Sequence, residues 1–72
     1  MSAQKVLAEV TGTVWQIVAR VGDDLNPEDP IIIVESMKME IPVVAPKAGR
    51  LVALLVGEND PVSEGQVVAH ME

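Results

Sequence analysis

Apolar residues in this chain fall into short runs separated by turn chemistry at near-regular intervals. Thr11-Gly12, Gly22-Asp23-Asp24, Asn26-Pro27, Pro46, Gly49, Gly57 to Pro61 and Glu64-Gly65 are the breaks. Residues 13–21 alternate with period two, with Trp15, Ile17, Ala19 and Val21 on one face and Gln16 and Arg20 on the other. That pattern predicts a half-buried strand with Trp15 in the core. Ile31 to Val34 is a β-branched run too short for a helix, and residues 41–45, 51–56 and 66–71 read as strands in the same way. Residues 2–10 hold good helix formers, among them Ala3, Leu7 and Ala8, but a lone nine-residue helix is marginal, so a strand is expected there too. The predicted class is all-β, a small barrel or sandwich, in a single domain over residues 1–72.

The chain also repeats itself. At an offset of 37, Gly12 meets Gly49, Val14 meets Leu51, Ile17 meets Leu54, Leu25 meets Val62, Ile31 meets Val68 and Glu35 meets Glu72. Gly22 and Gly57, at offset 35, suggest a brief slip in the register. Two like halves predict two β units related by a pseudo-two-fold axis. The segment 36–39 then has the two chain ends as its symmetry mate, and is expected at the pole opposite them.

Composition removes whole classes of function. There is no cysteine, hence no disulfide, thiol nucleophile, thiolate zinc site or iron–sulfur cluster. His70 stands alone, and without a nucleophile elbow a Ser36–His70–Asp triad has no support. His70 reads as a strand residue. Eleven acids against five bases give a net charge of −6, the wrong sign for a phosphate backbone, and one Trp without Phe or Tyr offers no platform for stacking bases. Nucleic acid is therefore not an expected partner. The longest apolar run, residues 51–56, is far below the ~20 residues of a membrane span, and residues 1–7 do not read as a secretory signal, so a cytoplasmic protein without a membrane partner is expected. The acids Asp23, Asp24, Glu28 and Asp29 read as a solvated turn, without calcium-loop spacing.

One segment departs from these rules. Glu35-Ser36-Met37-Lys38-Met39-Glu40 joins two strands with Met-Lys at its centre, where a tight hairpin favours Asn-Gly or another Gly-containing pair. A local rule broken at a strand junction marks a candidate functional site. Met37 and Met39 admit two readings, as adaptable apolar contacts for a partner or as side chains tucked inward to hold the hairpin.

With Ile41-Pro42 behind it, this hexapeptide resembles the attachment motif of biotinyl domains, the carrier domains of biotin-dependent carboxylases. The resemblance runs over essentially the whole chain. Gly12-Thr13-Val14-Trp15 resembles the family's first strand entry, Val21-Gly22-Asp23-Asp24-Leu25 its Val-Gly-Asp turn, Ala45-Pro46 and Gly49 its second-half entry, and Val62 to Gln66 its Glu-Gly-Gln turn. The departures are Glu28-Asp29 in place of a first-half Gly-Gln, and Thr11 where many relatives have Pro.

The resemblance implies a flattened barrel-sandwich of two four-stranded antiparallel sheets, with the lysine on an exposed hairpin. It implies that Lys38 carries covalent biotin, with Met37 and Met39 flanking it and Glu35, Ser36 and Glu40 as hairpin context. An ordinary lysine amine has a pKa of about 10.4, so only about one in a few thousand is neutral at pH 7. An enzyme must therefore bring an activated acyl donor. The implied partners are biotin protein ligase, biotin carboxylase and carboxyltransferase, and the chain itself is expected to be a non-catalytic carrier, with fatty acid biosynthesis among its possible settings. A lipoyl carrier, whose tip resembles Asp-Lys-Ala, and an unmodified β-barrel interaction module are the competing expectations.

Overall fold

In the computed structural model, residues 4–72 are described, and they hold eight strands and no helix. Of the segment 2–10, residues 2 and 3 lie outside the described residues, and the remainder contains strand β1, Gln4–Leu7. The others are β2 (Gly12–Ile17), β3 (Asp24–Leu25), β4 (Pro30–Ser36), β5 (Met39–Val44), β6 (Gly49–Leu54), β7 (Pro61–Val62) and β8 (Val67–Met71). They form two four-stranded sheets, ordered β1-β8-β6-β3 and β5-β4-β2-β7, with every pairing antiparallel. The β-branched run Ile31 to Val34 lies in β4, an inner strand of its sheet. Ile31, Ile32 and Val34 from β4, Val14 from β2, Leu51 from β6 and Val68, Ala69 and Met71 from β8 are fully buried between the sheets. No polar side chain is buried among the described residues.

The offset of 37 relates strand to strand and bond to bond. It carries β2 to β6, β3 to β7 and β4 to β8, and Ile41–Val44 of β5 onto Gln4–Leu7 of β1. The bulge in the β2–β4 ladder between Val14 and Gln16 has its mate in the β6–β8 ladder between Leu51 and Ala53. The Val14 N–H bonds the Asp60 carbonyl at 2.8 Å, and the Leu51 N–H bonds the Asp23 carbonyl at 2.9 Å.

The register slip expected at Gly22 and Gly57 does not occur. Gly22, at φ 102°, is matched by Asn59 at φ 73°, because Asn also tolerates the left-handed region. Gly57 is matched by Arg20. Each donates its backbone N–H to the aspartate three residues on, Arg20 to Asp23 Oδ2 at 2.9 Å and Gly57 to Asp60 Oδ2 at 2.7 Å. The next turn follows the same rule. Asn26 N–H bonds Asp29 Oδ2 and Ser63 N–H bonds Gln66 Oε1, both at 2.9 Å. Glu28, at φ 71°, takes the place of Gly65, at φ 85°. The Glu28-Asp29 departure therefore keeps the turn, with Asp29 doing the work of Gln66. These aspartates are turn-closing acceptors rather than merely solvated charge.

The expectation for Trp15 is overturned. The side chain is 49% exposed. Residues 13–21 do not form one strand, since β2 ends at Ile17. Within it, Val14 pairs with Val34 and Gln16 with Ile33, so Trp15 is the extra residue of the bulge. A bulge breaks the period-two alternation, and the inward position of this strand belongs to Val14. Val21, placed on the same face by the sequence pattern, is exposed beyond the strand.

Candidate functional site

The hairpin between β4 and β5 is held from below by core packing. Val34 is fully buried and pairs with the half-buried Ile41. Pro42 is tolerated because β5 is the outer strand of its sheet, where a missing N–H breaks no inner ladder. Above that anchor, Glu35 pairs with Glu40 and Ser36 with Met39, which leaves Met37 and Lys38 as a two-residue turn. Their φ angles are 52° and 66°. Positive φ at both central residues is the signature of the primed turn whose twist suits a hairpin. Without Asn or Gly, each residue takes that geometry at a cost of roughly 1–2 kcal/mol. The broken sequence rule is thus a left-handed tip made from ordinary residues.

The tip faces solvent. Lys38 is exposed, Met37 is 92% exposed and Met39 63%. The methionines therefore do not tuck inward. The third internal methionine, Met71, is the one in the core. Among the described residues the single ion pair is Arg50–Asp24, on the other sheet, so no carboxylate there neutralises Lys38. Glu35 and Glu40 are exposed and directly opposite one another, an arrangement that repels in the absence of a cation.

Ser36 does not join a catalytic group. Its hydroxyl donates to the Thr11 carbonyl at 2.8 Å, while His70 lies in β8 of the opposite sheet, paired with Lys5 and Ala53. Thr11, marked in the sequence as a turn residue and as a departure from Pro, is the acceptor here, a role the sequence did not indicate. Its Oγ1 accepts the Glu64 N–H at 3.0 Å, linking the hairpin base to the 63–66 turn. A primary amine alone on a raised tip, free of ion pairs among the described residues and flanked by exposed thioethers, suits covalent attachment of a carboxylic acid through an amide.

A family model described as biotin-requiring enzyme matches residues 3–71. The chain belongs to that family. Its cofactor is biotin. A biotinylated protein TB7.3 homolog of Mycobacterium leprae is 37% identical over 67 residues, covering 93% of this chain and 94% of that protein. A biotin carboxyl carrier protein of Streptococcus mutans is 34% identical over 64 residues, covering 89% of this chain and 49% of the relative. The crystal structure of the Kluyveromyces lactis urea carboxylase superposes with a TM-score of 0.94 at 38% identity, over 100% of this chain but 6% of that one. The chain thus spans nearly the whole of one relative, half of another and a small part of a third. The barrel-sandwich architecture is shared with carrier domains of biotin-dependent carboxylases.

Proposed function

We propose that the chain is a carboxyl-carrier domain and that Lys38 is the residue bearing biotin. The observation that carries this reading is the exposed amine at the centre of a left-handed two-residue turn, on a hairpin whose two strands pair up to the turn itself. A ligase presents the acid as its acyl-adenylate. The Lys38 Nζ, having lost a proton, attacks the acyl carbon. The amide C–N bond forms, the C–O bond to phosphate breaks and AMP leaves. Lys38 loses its positive charge, so the net charge passes from −6 to −7. Once bound, biotin supplies a ring nitrogen that takes up a carboxyl group and gives it up again.

The chain contributes position rather than catalysis. The barrel holds the attachment point, and the tether raises the effective concentration of the carried group at each partner site. Biotin carboxylase and carboxyltransferase are the partners this role requires, and the carboxyltransferase chooses the acceptor.

The test is co-expression with a biotin protein ligase followed by intact-mass measurement. The expected result is a gain of one biotinyl group, absent from Lys38→Arg. An unmodified wild-type chain, or label retained by the variant, defeats the reading. Modification by lipoate instead would assign the tip to the lipoyl carriers.

A further inference from the structure

We infer that the outer face of the β5-β4-β2-β7 sheet is the surface on which the biotin ligase docks, with Trp15 as its apolar anchor. This deepens the reading of Lys38 and rests on it. Next to the Lys38 turn lies the Thr13–Glu35–Glu40 row, and behind it a row made by the Trp15/Gln16 bulge, Ile33 and Pro42. Trp15 follows the inward Val14 and so shares the outer face with Thr13. Trp15 and Pro42 are exposed and Ile33 is half-buried, which forms an apolar stripe across three strands. At ~3.4 Å per residue, the acidic row lies about 7 Å from the turn and the apolar row about 14 Å.

The pseudo-two-fold axis supplies an internal control. The mates of Trp15, Ile33 and Pro42 are Val52, His70 and Lys5, on the outer face of the other sheet. The same scaffold positions are thus filled by a small apolar residue, an imidazole and a cation where no attachment lysine is presented. The fold does not require an indole here, and the bulge that exposes it is kept on both sides. Tryptophan is enriched among the few residues that carry most of the binding energy at an interface. The opposed Glu35 and Glu40 repel in the free chain, and a cationic rim on a partner relieves that repulsion. The occupant is therefore a surface with an apolar recess for the indole and Lys or Arg around it.

Reach selects the ligase among the partners of Lys38. An enzyme acylating the bare amine must bring its adenylate to the tip itself, so its body lies against the rows just behind it. A partner that acts on the carried group meets it at the end of a long arm, farther from these rows. One broad side of the molecule, 36 by 17 Å, offers roughly 600 Å², the size of a transient enzyme–substrate footprint.

The chain has one tryptophan, so 5-fluorotryptophan labelling places a single fluorine resonance on this face. Titration with ligase is expected to shift or broaden it, and Trp15→Ser is expected to raise the ligase KM for the chain about tenfold with kcat unchanged. Leu55→Ser, at a residue exposed beyond the end of β6, should leave both constants alone. A resonance unmoved at saturating ligase while Lys38 is still acylated overturns the inference, and so does a KM within twofold of wild type for folded Trp15→Ser. A response to carboxylase subunits but not to ligase also overturns it and gives the face to them. Failure of wild-type Lys38 to be acylated at all is a different result, which removes the underlying reading.

Discussion

Ser36 and Thr11, 25 residues apart, are joined by a hydrogen bond of 2.8 Å from the serine hydroxyl to the threonine carbonyl. It crosses from the last pair of the hairpin ladder to the loop before β2, directly below a turn whose two residues both sit at positive φ. A strained tip persists only where its surroundings over-determine it, and this bond is one such constraint.

Ser36→Ala should therefore loosen the tip more than the fold. An exposed neutral hydrogen bond is worth about 0.5–1.5 kcal/mol, so the unfolding midpoint should move little. Amide exchange at Met37 to Met39 should rise several-fold, and Ser36→Thr should restore it. Unchanged exchange in the alanine variant would mean that the ladder alone holds the turn.

Met37 and Met39 should be separable from Met71 by stability. Met37→Ala and Met39→Ala are expected to stay within about 0.5 kcal/mol of wild type in urea unfolding, since both side chains are mostly exposed. Met71→Ala removes a fully buried side chain and should cost about 2–5 kcal/mol.

The two halves should accept each other's turns. Glu28→Gly/Asp29→Gln installs the second-half residues in the first-half turn. Glycine removes a left-handed cost of roughly 1–2 kcal/mol and gives back about 0.5–1 kcal/mol in chain entropy, so stability should hold or rise slightly. A loss above about 1 kcal/mol on denaturation would show that Glu28 has a role beyond the turn.

Gly12→Ala should be among the most damaging single changes. A Cβ there would collide with the Glu35 carbonyl and crowd Val34, where β2 meets β4. Relief requires parting two inner strands of the sheet, so a loss of about 3 kcal/mol or more is expected. Circular dichroism melting would check it. Gly22→Ala meets nothing nearby and should cost only about 1 kcal/mol through its positive φ.

Much of this molecule was readable before folding. Ile31 to Val34 announced a buried strand because β-branched runs of that length have few other homes. The repeat at 37 announced two halves because the same spacing of small and apolar residues recurs. Lys38 stood out because Met-Lys is poor turn chemistry. Trp15 was misread for a definite reason: alternation is counted along one strand, whereas a bulge is a relation between two, and nothing in residues 13–17 alone places the extra residue. The equivalence of Gly22 with Asn59 was hidden similarly, since the shared property is a backbone angle and not a residue type.

Local pattern along the chain determined where the six longer strands lie, the twofold plan and the position of the lysine between two strands, because these follow from the order of side chains one after another. Tertiary structure decided which face Trp15 takes and that Ser36 bonds to Thr11. Those are contacts between segments that the chain keeps apart, and they exist only once the pairing of strands has set a register.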